Sequence, residues 1–231
     1  VYKRQTRHIL LLCLLGNPFE LNLGGHQRTV LEIIEHFKDM PRLEITVITT
    51  TKSSLKQLTP NHLYSNIVLY EIPIKKEWFE NQDLLYDNRN FLYETVKKIY
   101  ENIKHPITLV HSTYWISGLL ASQLCIEYHL TQIHSVISTS CERKRNGFSP
   151  VSSHQYESEQ FFLPKVDRII SITESEYELL IEKYHIEPHK IIVVGRTVAD
   201  CFLRPAHLPS GNLEQDVSVN CLLYTSDAAD E

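Results

Sequence analysis

Apolar positions along the chain follow two patterns that alternate. Short runs rich in isoleucine, leucine and valine predict β-strands, whereas longer segments with apolar residues three or four positions apart predict amphipathic α-helices. The predicted strands are at residues 8–15, 43–49, 66–72, 107–111, 133–139, 168–172 and 190–194. The predicted helices are at residues 25–37, 90–103, 114–128, 152–162 and 174–184. Two loops of unusual length remain, at residues 75–89 and 141–151.

This alternation of strands and helices predicts the fold class. Strands separated by helices must run parallel and bury both faces, so we expect an α/β fold with a doubly wound, mainly parallel sheet and helices on both faces. In open sheets of this kind, ligands bind beyond the carboxyl ends of the strands. We therefore look for functional residues directly after predicted strands.

The first apolar run has a second interpretation. The letters "KRQTR" followed by "HILLLCLL" resemble the charged and apolar regions of a signal peptide. No small-residue cleavage site follows, and the run is far shorter than the roughly 20 residues that cross a bilayer. Similar runs recur downstream, so we predict a buried strand here.

Composition narrows the function classes. The chain has 231 residues, of which 42% are hydrophobic, so it has ample material for a buried core. A formal net charge of -5 disfavours binding to nucleic acid. The five cysteines are odd in number and lack close pairs, which fits a reducing compartment, and we expect a cytoplasmic protein. No His-Glu-x-x-His motif or comparable cluster is present, so no metal site is predicted.

Both ends of the chain look foreign to the rest. Residues 1–5, "VYKRQ", and residues 221–231, "CLLYTSDAADE", resemble translated sequencing adapters, and we expect them to be non-native. The only methionine is Met40, so we expect a fragment of a longer protein. The predicted organisation is one Rossmann-like domain at residues 6–205, followed at residues 206–220 by a linker or the start of a truncated C-terminal domain.

Two adjacent glycines, Gly24 and Gly25, stand between the first predicted strand and the first helix. Free backbone N–H groups and the positive end of a helix dipole suit an anion at such a place, although glycines can also serve only to form a tight turn. The turn lacks G-x-G-x-x-G, and the second strand does not end in an acidic residue, which disfavours a nicotinamide dehydrogenase. A phosphate-binding G-x-x-x-x-G-K-[ST] loop is also missing.

Four segments of the chain resemble family 4 glycosyltransferases, in the order of that family. They are "GGHQRTVLEIIEHF", "LVHSTYWISGLLASQL", "ESEQFFLPKVDRIISITESEYELL" and "HKIIVVGRTVADCFLRP". The resemblance implies one Rossmann-like half of a GT-B fold, in which two such domains face each other across a cleft. It further implies transfer of a sugar from a nucleotide-sugar donor with retained configuration and no obligatory metal or other cofactor. This chain would be the N-terminal, acceptor-side domain.

We expect substrate-binding residues after three of the predicted strands, where the resemblance implies that the cleft lies, although the charged residues after the fifth strand stand where the chain departs from the family. Backbone amides after the first strand, aromatic rings after the fourth and charged side chains after the fifth would border the cleft. These residues are Gly24, Gly25, His111, Tyr114, Trp115, Ser140, Glu142, Arg143 and Lys144. For Trp115, packing in the core is an equal alternative, and the charged loop is equally well explained as a solvated surface. No catalytic residue is assigned.

The chain departs from the family pattern in three places. Family members often have a histidine near Ser140, a second histidine and an aspartate near the fourth strand, and an Asn-Gly pair where this chain has Arg196 and Thr197. These departures favour one alternative, a GT-B-like binding module without catalysis. Another Rossmann-like nucleotide-binding enzyme is a weaker alternative, because of the first turn.

The resemblance predicts how a full-length protein would work. This half would bind a carbohydrate, lipid or other hydroxyl acceptor, whereas the residues for the nucleotide-sugar donor would follow residue 220. The chain alone should therefore be inactive. A lipid acceptor would bring a peripheral membrane contact in the full-length enzyme, and no nucleic-acid partner is expected.

Overall fold

A computed structural model of the protein describes residues 6–19, 25–52, 58–150 and 152–195. These residues contain eight β-strands in one sheet: β1 (Arg7–Cys13), β2 (Leu43–Thr51), β3 (Asn61–Tyr64), β4 (Ile67–Pro73), β5 (Leu109–Thr113), β6 (Gln132–Ser135), β7 (Arg168–Ser171) and β8 (Ile191–Val193). The helices are α1 (Gly25–Phe37), α2 (Lys76–Glu80), α3 (Gln82–Asp87), α4 (Arg89–Glu101), α5 (Trp115–Tyr128), α6 (Ser140–Arg145), α7 (Gln155–Phe162) and α8 (Glu174–Tyr184). Short 3-10 turns at Leu163–Lys165 and Pro188–Lys190 precede β7 and β8.

The sheet confirms the predicted doubly wound α/β class. Its strand order is β3-β4-β2-β1-β5-β6-β7-β8, and all neighbours are parallel except β3 and β4. The chain runs outward from β1 to β4, then crosses back and runs outward again from β5. Because crossovers between parallel strands are right-handed, this reversal puts α1 on one face and the later long helices on the other. Two separate buried clusters, one on each face, agree with that arrangement.

The first apolar run is the central strand of the sheet. β1 pairs with β2 on one side and with β5 on the other. The side chains of Leu10, Leu11 and Leu12 are all at most 1% exposed, because helices cover both faces of the strand. A strand buried on both faces needs an unbroken apolar sequence, which explains why this run resembles a signal peptide.

All seven predicted strands are present, but four elements lie where loops or nothing were expected. β3 is a four-residue edge strand with only half-buried or exposed positions, so no apolar run marks it. The two long predicted loops contain α2, α3 and α6, helices of five or six residues. Helices this short span fewer than two turns, and no periodic pattern can build up in them.

Close contact between α5 and α7 depends on Gly118. A Cβ atom at this position would lie 2.5 Å from Cζ of Phe162 and 2.8 Å from Cε1 of His134. The phenyl ring of Phe162 is fully buried, so it has no room to move away. Gly118 therefore sets the packing below the carboxyl edge of β5 and β6. The predictions for residues 1–5, for Gly24 and for residues 196–231 lie outside the described residues.

Candidate functional site

The predicted site residues that the structure describes lie at the carboxyl ends of β1, β5 and β6, where the sheet order reverses. At this place α1 begins on one face of the sheet and α5 on the other. Open α/β sheets bind ligands in the crevice that such a reversal creates. We refer to this region as the carboxyl edge.

Gly25 is the first residue of α1, and it is exposed. A Cβ atom added here would meet no heavy atom of the described residues within 4 Å, and the backbone of this glycine is not in the left-handed region. Neither packing against the part of the chain that the structure describes nor local conformation therefore requires glycine at position 25. This observation favours the interpretation that an approaching ligand requires the open space.

His26 follows the glycine and was not predicted as a site residue. Its Nε2 lies 2.9 Å from Oγ1 of Thr113, and its ring centroid lies 5.6 Å from that of Tyr114. Burial lowers the pKa of His26 to about 4, so the imidazole is neutral at pH 7. Nδ1 is buried and has no hydrogen-bond partner within the part of the chain that the structure describes. The sequence offered no signal for this residue beyond its place after the glycine pair.

Three predicted site residues lie around the end of β5: His111, Tyr114 and Trp115. None of them is exposed, because His111 is half-buried and the other two are buried. The Nε2 atom of His111 lies 2.8 Å from Oγ of Ser135, and burial lowers the pKa of His111 to about 4. Trp115 is 2% exposed, and its indole N–H donates to Oε1 of Gln82 at 2.9 Å. Trp115 therefore belongs to the core, the alternative that the sequence left open. Tyr114 is buried beside it.

Two non-glycine residues at the carboxyl edge have left-handed backbone conformations. Tyr114 has φ 67° and ψ 158°, and Ser138 has φ 64°. Such conformations cost on the order of 1–3 kcal/mol each for ordinary residues, and they cluster at functional sites. At Tyr114 this backbone conformation turns the chain sharply from β5 into α5. The first hydrogen bond of α5 runs from Gly118 N to the Tyr114 carbonyl.

The charged loop after β6 forms helix α6. Thr139 caps it, because its Oγ1 accepts a hydrogen bond from Glu142 N at 3.1 Å. The Nε atom of Arg143 donates to the Ser149 carbonyl at 2.9 Å, and Lys144 is exposed. Burial raises the pKa of Tyr114, whereas its hydrogen bond with Gln82 and the nearby charge of Arg143 oppose that rise. The cationic loop and the strained tyrosine are therefore neighbours.

Ser140, the remaining predicted residue of this loop, is buried at the start of α6. Its backbone N–H donates to both carboxylate oxygens of Glu159, at 3.0 and 3.3 Å. This amide is therefore used within the protein. The charged side chains farther along the helix remain the part of α6 that faces outward.

Two further acidic residues have structural partners. Oε2 of Glu176 accepts hydrogen bonds from Ile172 N and from Oγ of Ser171, which holds the turn between β7 and α8. Oδ2 of Asp167 accepts one from Gln132 N at 2.8 Å. Within the described ranges, no three His, Cys, Asp or Glu side chains come together closely enough to hold a metal ion.

Concave surfaces occur at both edges of the sheet. A wide open groove lies at the amino edge, between the end of α1 and the first residues of β1 and β5, and it is lined by Phe37, Met40, Leu43 and Leu109 among others. At the carboxyl edge, a much smaller cavity lies between Tyr114, His134 and Glu159. Of the predicted site residues that the structure describes, Tyr114 and Trp115 line the second of these cavities, and none lines the first.

A model of Glycosyltransferase Family 4 matches residues 23–199, which is most of the chain. The chain belongs to this family. The match begins at the glycine turn and extends through β8, so it includes all the predicted site residues.

Relatives and solved structures agree with this membership. A D-inositol 3-phosphate glycosyltransferase of Kineococcus radiotolerans is 28% identical over 101 residues, which are 42% of this chain and 23% of the relative. Sucrose-phosphate synthase from Thermosynechococcus elongatus has a similar fold, with a TM-score of 0.66 and 16% identity over 88% of this chain and 54% of that one. Arabidopsis thaliana UGT89C1 complexed with UDP has a TM-score of 0.55 and 12% identity over 83% of this chain and 49% of that one.

The chain spans about half of the synthase and less than a quarter of the Kineococcus relative. Among the described residues, none of the helices is both long enough and apolar enough to cross a membrane.

Proposed function

We propose that this chain is the acceptor-binding half of a retaining glycosyltransferase. The full-length protein would transfer a hexose from a nucleotide sugar to a hydroxyl group of an acceptor. In this proposal the acceptor lies at the carboxyl edge of the sheet, and a second domain holds the nucleotide. The protein would work in the cytoplasm without a cofactor other than its co-substrate.

The observation that carries this proposal is the convergence of three features at one edge. The open start of α1 at Gly25, the strained turn at Tyr114 and the cationic helix α6 all border the same end of the sheet. Membership of the family supports the reaction class, and the convergence supports the place that we propose for it.

The chemistry of these groups fits sugar transfer. When the bond between the sugar and the nucleotide breaks, negative charge develops on the leaving diphosphate, and fixed amide dipoles or cations stabilise that charge. The exposed N-terminus of α1 offers such amides. The side chains of Arg143 and Lys144 suit a phosphate-bearing or acidic acceptor, because a guanidinium or ammonium forms charge-assisted hydrogen bonds with such groups.

Similar proteins suggest what kinds of ligand to test. Crystal structures of UGT89C1 contain UDP, UDP-L-rhamnose or quercetin, a hydroxyl-bearing compound. The name of the Kineococcus relative points to an inositol phosphate. We therefore propose UDP-sugars as the first donors and inositol phosphates and polyphenols as the first acceptors to test.

The direct experiment compares the 231-residue chain with the full-length parent polypeptide. Each is incubated with a panel of nucleotide sugars and acceptors, and products are detected by mass spectrometry. We expect a glycosylated product from the full-length protein and none from the chain alone. Turnover by the chain alone would contradict the division of roles between the two halves.

A second outcome would favour a different function. If the full-length protein binds an acceptor but transfers no sugar from any donor, the chain is part of a binding module. The observation that favours this candidate is the loop after β6, which has Ser140 and Cys141 where family members often have a histidine.

A further inference from the structure

Glu159 is a carboxylate buried at the junction of three helices. Its side chain is 3% exposed and lies on α7, where it contacts the first residue of α6 and the last residue of α8. Four donated hydrogen bonds reach its two oxygens. Ser140 N reaches both of them, Nε2 of Gln155 reaches Oε1 at 2.8 Å, and the Tyr184 hydroxyl reaches Oε2 at 2.6 Å.

Tyr184 extends this network to the next residue of α6. Its hydroxyl oxygen accepts a hydrogen bond from Cys141 N at 3.3 Å while its proton is donated to Glu159. The first two amides of α6 are thus held by one carboxylate and one phenol from two other helices. A helix of six residues has little stability of its own, so these contacts determine where it lies.

We propose that Glu159 and Tyr184 are positioning residues that hold α6, and with it Arg143 and Lys144, against the carboxyl edge. This inference rests on the proposed function in one respect: it assumes that α6 contributes Arg143 and Lys144 to acceptor binding. The hydrogen-bond network itself does not depend on any ligand.

The position of α6 should then respond to pH near neutrality. Burial raises the pKa of Glu159 to about 7, and the nearby charge of Glu142 adds a smaller rise, while the bonds from Tyr184, Ser140 and Gln155 oppose them. If α6 moves away, water reaches the carboxyl group and its pKa falls toward the ordinary value of 4.5. Ionisation therefore favours the detached position, and α6 is held more firmly below pH 7 than above it.

The two tyrosines and the histidine nearest to Glu159 do not change protonation state between pH 6 and pH 8. Burial raises the pKa of both tyrosines that face it, Tyr184 and Tyr114, so both stay protonated. Burial and the charges of two other histidines lower the pKa of His134, across the small cavity, to about 3. Arg143 lies near Tyr114, and its charge acts on that phenol. The change between pH 6 and 8 thus belongs to Glu159.

The test is hydrogen exchange of the Ser140 and Cys141 amides, measured by NMR on the 231-residue chain and expressed as protection factors. Between pH 6 and pH 8, we expect the protection of both amides to fall about tenfold, the ratio that a pKa change from 7 to 4.5 on opening produces. The variant Glu159→Gln carries no charge, so its protection factors should not change with pH. The matched control Glu157→Gln alters an exposed residue of the same helix and should keep the tenfold change.

A pH dependence that survives in Glu159→Gln, or that is absent from the unmodified chain, would overturn the proposal. If Glu159→Gln does not fold, Tyr184→Phe provides the second test. This variant removes one hydroxyl, so the Cys141 amide should lose protection while the pH dependence remains. An unchanged Cys141 amide in Tyr184→Phe would also contradict the proposal.

A kinetic measurement separates positioning from general stability. In the full-length enzyme, Tyr184→Phe should raise KM for the acceptor severalfold and leave kcat within twofold, because the Cys141 amide loses its acceptor, and Glu157→Gln should change neither. If no transfer reaction is found, the proposed function fails, but the exchange experiment still decides the role of Glu159.

Discussion

At the scale of single residues, buried or half-buried histidines beside hydroxyl groups characterise this protein. His26 lies beside Thr113, His111 beside Ser135, and Nδ1 of His134 lies 2.9 Å from Oγ of Ser112. Burial lowers the pKa of His26 and His111 to about 4 and that of His134 to about 3, so all three are neutral at physiological pH. Neutral imidazoles with hydroxyl partners contribute polar groups to the carboxyl edge without adding charge.

Two glycines near this edge have opposite requirements, and substitution by alanine separates them. Gly118→Ala should lower the free energy of unfolding by about 1–3 kcal/mol, because the new methyl group overlaps Phe162 and His134. Gly25→Ala should change it by less than about 0.5 kcal/mol, because the added methyl group meets no atom of the described residues. Urea denaturation measures both values.

The Gly25→Ala variant also tests the functional interpretation of Gly25. If a ligand approaches the amides of α1, Gly25→Ala should raise KM in the full-length enzyme although the fold is intact. A Gly25→Ala enzyme with normal KM for both substrates would show that the open space at this position has no role in binding.

The residue scale is also where prediction from sequence was weakest. The sequence predicted Tyr114, Trp115 and the loop after β6, because motifs and strand ends mark them. It did not predict His26 or the partners of Glu159. The contact of His26 with Thr113 joins residues 87 positions apart, and the contacts of Glu159 with Ser140 and Tyr184 join residues 19 and 25 positions apart. Such distances in sequence leave no local pattern, and only the packing of helices on the sheet brings the residues together.

At the scale of elements, the start of α8 shows how local sequence fixes a helix boundary. The letters "TESE" place Thr173 and Glu176 three residues apart, the spacing of a capping box. In the structure, Oγ1 of Thr173 accepts a hydrogen bond from Glu176 N at 3.1 Å. The carboxylate of Glu176 points back to accept from Ile172 N at 3.0 Å. The turn after β7 and the helix after it are therefore stabilised together.

Removal of this cap has a predictable cost. Thr173→Ala should lower the free energy of unfolding by about 1 kcal/mol, because Glu176 N loses its acceptor at the end of the helix. Thr173→Ser keeps the hydroxyl group and should stay within about 0.5 kcal/mol of the unmodified chain. Equal losses in the two variants would mean that the methyl group of Thr173, and not the cap, stabilises α8.

Elements with strong periodicity were the easiest to predict. β1 is buried on both faces over most of its length, so it needs a nearly unbroken apolar run. β3 lies at the edge of the sheet and α6 has only six residues, so neither is required to carry such a pattern. Tertiary contacts, such as those of α6 with Glu159, replace the pattern for these elements.

At the scale of the whole molecule, the order of the sheet determines where the site lies. The reversal at β1 opens the carboxyl edge between α1 and α5, where Gly25 and Tyr114, from two of the four family-like segments, lie. Fold and family could be predicted from the sequence, because apolar periodicity and ordered motifs both extend over most of the chain. The substrates could not, because they depend on side chains at the edge and on the part of the relatives' length that this chain does not span.

The central claim is that the acceptor binds at the carboxyl edge of this half. The most direct measurement is chemical-shift mapping of the isotope-labelled 231-residue chain with the acceptor that the transfer assay identifies. We expect saturable shifts of the amides of Gly25, Tyr114 and Lys144, and none around Phe37 and Leu43 at the amino edge. Shifts confined to the amino edge, or no shifts at saturating acceptor, would contradict the account.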